Sequence, residues 1–433
     1  MSISRSVAIR TTVGIGTVLC LATITACGGG GGSSKAGSST DGKVEGTIKF
    51  QTWNLRANFK DYFEGVIADF EKEHPGAKVK WVDQPADGYP DKLSADASAG
   101  SLPDVVNLSP DLAYPLAKAG LLLNLDKDEV AKKFKPEYLE GAWKGFEMPG
   151  MDGTYSFPWY LNSGPLFYNK TMFEKAGVDA NKPPKTFDEL FAVAGELAKK
   201  GEATLGQPPT VEDFGRYGVE AMDTEGKKIT LNSDKGVELL TKFKELYDNG
   251  GLHKQTLTLK DDSTGQKFLQ QEIAMNPGSA HDLDNFKQNA PSLYENIGIT
   301  EVPTNTGKQN MYLQGLSVNS QSKNTATAVA FAHFLTNAKN QEEFGHKVAV
   351  FPSTKGSLEK EYWTKPDGTE EGKIRVASAK MLPSAVNYTP VLFSDEMKTI
   401  LRNEIAKCFT GKLSPKAALD SAAEQMNKLL EQN

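Results

Sequence analysis

From Val44 onward, short β-type runs alternate with stretches of helical periodicity, and no other feature of the chain narrows its fold as far. Thr47-Ile48-Lys49-Phe50-Gln51, Lys78-Val79-Lys80-Trp81-Val82 and Asp104-Val105-Val106-Asn107-Leu108 read as strands. Between the first two, Phe59, Phe63, Val66, Ile67 and Phe70 recur at the spacing of one helix face, and Pro75-Gly76 closes that helix. Thr186-Phe187-Asp188-Glu189 is a capping box, and Ser414-Pro415 sets a cap before a proline at the first helical position. Such alternation predicts an α/β fold with largely parallel sheets. A body of about 390 residues exceeds what one core usually supports, so two lobes are expected, with ligand held in a cleft beyond the carboxyl ends of the strands. No internal repeat is evident.

The amino terminus sets the compartment. Arg5 and Arg10 precede an apolar stretch from about Thr11 to Ala22, too short to span a bilayer comfortably, and Ile24-Thr25-Ala26-Cys27 follows. The tetrad resembles the lipobox of bacterial lipoprotein signals, which implies cleavage after Ala26 and lipidation of Cys27. Removing residues 1–26 takes away two arginines and no acids, leaving 47 basic against 55 acidic side chains, a net −8. Residues 27–43 are flexible Gly/Ser tether chemistry. Of the three cysteines only Cys27 and Cys408 remain, so no intramolecular disulfide is expected, and Cys408 reads as packing.

Composition excludes several classes. With pI near 5.6 there is no basic field for nucleic acid, and a mean hydropathy of −0.43 excludes a multi-span membrane protein. The five histidines form no His-Glu-x-x-His pair, no Gly-x-Ser-x-Gly elbow or phosphate-cradling glycine loop occurs, and the Asp261-Asp262 and Asp282/Asp284 pairs lack calcium-loop spacing. No cofactor is expected. At this level an enzyme and a binding protein remain equally open, since glycosidase carboxylates carry no short signature.

The segment Leu102-Pro103-Asp104 to Asp111, followed by Leu116-Ala117-Lys118-Ala119-Gly120-Leu121-Leu122, resembles the first-lobe signature of extracellular solute-binding proteins, in the maltose-binding branch that serves ATP-binding-cassette importers of carbohydrates. Further blocks agree in order: Phe157-Pro158 through Lys170, Phe173 to Gly177, Pro184 to Leu190, Ile273-Ala274-Met275, Gly315 to Lys323, Phe351-Pro352-Ser353 and Thr410 to Pro415. The resemblance implies a two-lobe periplasmic-binding-protein-like fold with three hinge crossings, near 157–162, 314–317 and 350–354. The implied lobes are 44–158 with 317–350, and 159–316 with 351–433. It also implies a sugar ligand, permease subunits of an importer as partners, attachment to the membrane by the lipid anchor and a monomeric protein. Pro158 fits a strand that leaves one sheet.

A sugar site interleaves aromatics with fixed polar groups. The resemblance places Trp53, Asn54 and Arg56 after the first strand, with a solvated loop as the alternative, and Asp111 at a sugar-binding aspartate position, where it would also serve as an N-cap. Asn162 falls where the maltose binder has a carboxylate, a departure that alters the hydroxyl pattern read. Trp159 and Tyr160 point to opposite faces if extended, one toward ligand and the other toward the core; Trp159 is taken as the stacking ring. Glu212 occupies a region of an acid and an aromatic, and His281 stands near a tryptophan position. Tyr89, Gln314 and Tyr388 complete the set. The rivals are a binder of a polyol phosphate or polyamine, and a secreted carbohydrate-active enzyme.

Overall fold

The computed structural model describes residues 39–258, 264–278, 280–348 and 350–431, without the side chains of residues 280, 281, 284 and 370. The signal segment, Cys27, Asp261-Asp262 and the side chain of His281 lie outside what is described.

Among the described residues, nine strands build two sheets. They are β1 (Gly46–Trp53), β2 (Ala77–Gln84), β3 (Val105–Leu108), β4 (Phe157–Asn162), β5 (Leu166–Asn169), β6 (Met275–Pro277), β7 (Ile297–Thr300), β8 (Tyr312–Val318) and β9 (Phe351–Pro352). One sheet runs β2-β1-β3-β8-β4-β9 and the other β6-β5-β7. The parallel pairs are β1 with β2 and β1 with β3; β8 is antiparallel to β3 and β4, β9 to β4, and β5 to both β6 and β7. The sheets are therefore not largely parallel. Helical crossovers join β1, β2 and β3 and return the chain to the same end each time, whereas β8 enters from the second sheet without one and runs the other way.

Helix Arg56–Glu73 buries Tyr62, Phe63, Val66 and Phe70 on one face of the large sheet, against Ile48 and Phe50. Each fully buried Phe there contributes about 1.5–3 kcal/mol by leaving water. The opposite face packs Val106, Leu108, Leu116 and Phe146. The second sheet has a core of its own, with Phe173, Phe187, Phe214, Met397 and Leu401 on one side and Phe167, Phe268 and Phe286 on the other. Cys408 is fully buried there. Thr186 and Glu189 form the expected capping box, and Ser414 caps the Pro415–Leu430 helix by accepting from the Ala417 amide.

Two expectations need correction. Pro158 does not end a strand: β4 stays in the large sheet to Asn162, so a lobe limit at 158 would cut it in mid-strand. The proline is accommodated because the pairing with β8 slips between Pro158 and Tyr160, a bulge that frees this stretch from the regular ladder. The tether, expected to run to residue 43, is docked before that, since Thr40 donates to Asp128 Oδ2 at 2.7 Å. The three expected crossings fall on β4, β8 and β9, neighbours at one side of the sheet. The chain leaves through residues 163–165 and returns through 301–311; past Pro352, Trp363, Ala379, Leu382 and Ala385 still pack in a core of the large sheet, Ile374 packs against the second sheet, and Phe393 and Met397 belong to the second lobe's core.

Candidate functional site

The carboxyl ends of β1, β2, β3 and β4 and the start of the antiparallel β8 share one edge of the large sheet. Beyond it lies a cavity of about 850 Å³. Helix Pro110–Lys118 brings Asp111 and Tyr114 to it, since residues three apart share a helix face, and β8 brings Tyr312 and Gln314. The far wall, Asn387, Thr389, Asp395 and Lys398, belongs to the second lobe, whose core holds Phe393 and Met397. A second cavity of about 310 Å³ shares Tyr312 and Lys398 with the first and is lined by Gln207, Thr210, Glu212 and Arg402.

Three of the residues expected from sequence meet here. Asp111 is exposed at the cavity wall; Ser109, not Asp111, is the N-cap of its helix. Gln314 is half-buried, its Oε1 accepting from Asn107 Nδ2 at 3.1 Å. Glu212 Oε1 accepts from Thr389 Oγ1 at 2.6 Å. Burial pushes the Glu212 carboxyl up, but hydrogen bonds from Thr389, Thr210 and its own backbone, with the charge of Arg216, outweigh this and hold its pKa below the usual value.

The others stand elsewhere. Trp159 is not a stacking ring: it is fully buried in the core, stacked on Phe344 at 5.3 Å and edge-on to Phe63 at 5.7 Å. It shares the face of Phe157, two residues earlier, and the bulge after Pro158 brings Tyr160, half-buried beside it, to the same side, opposite Gln314 in the ladder. Asn162 is exposed opposite Tyr312 but lines a separate cavity of about 120 Å³ with Phe351, Trp363 and Arg375, not the one that Asp111 lines. Arg56 is committed to β2, its Nη2 donating to the Trp81 carbonyl at 2.7 Å and its guanidinium 4.0 Å from the Trp81 ring centre.

Tyr89 is buried, donating to the Asn107 carbonyl at 2.9 Å, and Trp53 packs 6.1 Å from it. Asn54 is exposed in a left-handed conformation (φ 53°) just past β1. Tyr388 turns from the cavity to bond Thr306 and the Lys308 carbonyl, leaving its neighbours Asn387 and Thr389 as the lining groups. His281 lies in helix Ala280–Asn289, its side chain outside the described residues.

Sequence reasoning missed Tyr114, Tyr312, Lys398 and Arg402. Two of these had a signal: Tyr312 lies two residues before Gln314 on the same strand face, and Tyr114 three after Asp111 on the same helix face. No group of three or more metal-ligating side chains occurs among the described residues.

Two α/β lobes around a cleft of mixed polar and aromatic lining define a periplasmic-type binding protein. Residues 56–342 match the bacterial extracellular solute-binding proteins, and the chain belongs to that family. A candidate oligosaccharide periplasmic-binding protein of Synechococcus sp. MITs9220 superposes with a TM-score of 0.78 at 25% identity, over 89% of this chain and 99% of that one. A cyclo/maltodextrin-binding protein complexed with maltotetraose gives a TM-score of 0.73 at 20% identity over 90% and 99%, a likeness of fold alone. In sequence, the sn-glycerol-3-phosphate-binding periplasmic protein UgpB of Escherichia coli is 26% identical over 411 residues, 83% of this chain and 87% of its own. These relatives are binding proteins rather than enzymes.

Proposed function

We propose that the protein captures a sugar or oligosaccharide outside the cytoplasmic membrane and delivers it to the permease subunits of an ATP-binding-cassette importer, held at the outer face of that membrane by lipid on Cys27. The observation that carries this is the convergence of Asp111, Gln314, Asn387 and Thr389 with the rings of Tyr114 and Tyr312 on one cavity between the lobes. Carboxylate and amide groups fix hydroxyls, and the rings cover C–H faces. A thermal-shift screen over mono- and oligosaccharides tests it. Stabilisation by at least one sugar, with no product formed on incubation, is expected of a binder; turnover would make the chain an enzyme. For the anchor, Cys27→Ala should release the protein or leave it unprocessed, and a variant still anchored like wild type in cell fractionation would refute lipidation.

A phosphorylated polyol is the second reading, favoured by the likeness to UgpB and by Lys398 and Arg402 at the cleft. Against it, Lys398 is paired with Asp395 at 2.9 Å, and Asp111 and Glu212 carry negative charge in the same lining. Including sn-glycerol 3-phosphate in the screen decides between the two.

A further inference from the structure

We propose that Tyr312 is the stacking platform of the cleft and that the ligand is a chain of at least two sugar rings lying across it, with a ring in each cavity. This rests on the sugar-capture reading above and specifies the ligand and the residue that selects it. Among the described residues, the exposed large hydrophobic side chains are Val82, on the edge strand β2, and Tyr312, which is 54% exposed. A lone exposed Val on a surface needs no explanation, whereas a half-exposed aromatic at the meeting point of two cavities offers a flat apolar face to whatever passes between them. The ring is carried on a rigid element, because Tyr312 opens β8 and is paired with Asn162 of β4.

Opposite Tyr312, one face of helix Asp395–Phe409 follows the same path. Asp395 and Lys398 border the larger cavity, and Lys398, Leu401 and Arg402 the smaller. Their spacing places them in one row, and the rise from Asp395 to Arg402 is about 10 Å, longer than a single pyranose ring. Each cavity has polar anchors of its own. Asp111 and Gln314 serve the larger, where the Gln314 Oε1 is taken by Asn107 and its Nε2 is left to donate. Glu212 and Gln207 serve the smaller. A volume of about 850 Å³ in the larger cavity alone lies in the upper part of the roughly 300–1,000 Å³ range that encloses drug-sized ligands, so a monosaccharide would leave most of it to water.

The test is calorimetric titration of wild type, Tyr312→Ala, Tyr312→Phe and Gln207→Trp with mono-, di- and trisaccharides of glucose, mannose, galactose and xylose, each variant first checked for a wild-type melting profile. In the series that binds, the di- or trisaccharide should bind at least about tenfold more tightly than its monosaccharide. Tyr312→Ala should weaken it on the order of 10- to 100-fold and Tyr312→Phe should not. Gln207→Trp, which plugs the smaller cavity, should abolish the advantage of the longer sugar. Equal affinity for one ring and three, or an unchanged affinity in Tyr312→Ala, overturns the platform while leaving sugar capture intact. Binding of no sugar by wild type overturns the sugar-capture reading and the platform with it.

Discussion

Trp159 lies within β4 and Asp111 just past β3, in strands that flank β8, yet one is core and the other cleft, and the difference is which side of the sheet each meets. Trp159 keeps the face of Phe157 and stacks on Phe344, while the bulge after Pro158, which cannot donate to the ladder, brings Tyr160 to the same side instead of the opposite one. Replacing Trp159 with Ala should cost about 3–5 kcal/mol of folding stability, read as a lowered midpoint in urea. An unchanged midpoint would return Trp159 to the cleft. Glu212 makes the complementary case. Its carboxylate is held in the ionised form, so its contribution to stability is fully present above the ordinary carboxylate range of about 4 and is lost as pH falls through its lowered native value. Glu212→Gln should be less stable than wild type by about 1 kcal/mol at pH 7, and the gap should shrink in acid. A gap that stays constant from pH 7 to pH 3 would mean that its charge plays no part.

At the scale of elements, what could be read from the sequence were the features set by local chemistry. β1, β2 and β3 occur where alternation places them, Thr186 and Glu189 close their capping box, and helix Arg56–Glu73 stops before Pro75-Gly76. Partnership was not legible. Period-2 patterning fixes which side chains share a face of a strand but not which strand lies beside it, so the antiparallel entry of β8 and the all-antiparallel β6-β5-β7 sheet had no local signature. The same limit applies at the site: Asp111, Gln314 and Glu212 stand among positions singled out by the family resemblance and by sugar-binding residue types, while Arg56 and Tyr388 stand there as well and are diverted by Trp81 and Thr306.

Residues 385–390 illustrate an element without periodicity that the site nevertheless needs. Val386 donates to the Gln309 carbonyl and accepts from Met311 N, and the Tyr388 amide bonds Asn310 Oδ1, so this strap is laced to the segment entering β8. Its other support is Gly215, where a Cβ would come within 2.4 Å of Tyr388 Cδ1 and 2.6 Å of its Cβ. Atoms that close to the backbone cannot swing aside. Gly215→Ala should therefore lower stability by about 1–3 kcal/mol and displace Asn387 and Thr389 from the cavity wall, weakening ligand binding. In a Tyr388→Gly background, which removes the ring and its Cβ together, Gly215→Ala should cost much less stability than it does in wild type. If it costs as much in both backgrounds, the clash is not the cause.

On the scale of the whole molecule, the two lobes have separate cores and are joined by segments that brace one another. Only residues 163–165 lie between β4 and β5, and Ser163 Oγ donates to the Asn310 carbonyl at 2.9 Å, tying the first crossing to the second. Ser353 Oγ donates to the Pro158 carbonyl at 2.7 Å, tying the third to the first. Crossings laced in this way resist sliding and splaying but leave a rotation of one lobe against the other, during which helix Glu370–Met381, which reaches both cores through Ile374 and Ala379, is the element that must shift. The cleft has walls from both lobes, so rotation toward closure adds contacts to a bound ligand that the open form lacks, and ligand must then favour the closed form by that difference in affinity. Saturating sugar should compact the protein in small-angle scattering. Free ligand at 100 times its dissociation constant should also stabilise the native state by about 2.7 kcal/mol, provided that the unfolded chain does not bind it. The two measurements separate binding from closure. Stabilisation without compaction, in a protein whose ligand-free form scatters as an open molecule, would show that the sugar binds a fixed cleft and that the crossings do not act as a hinge.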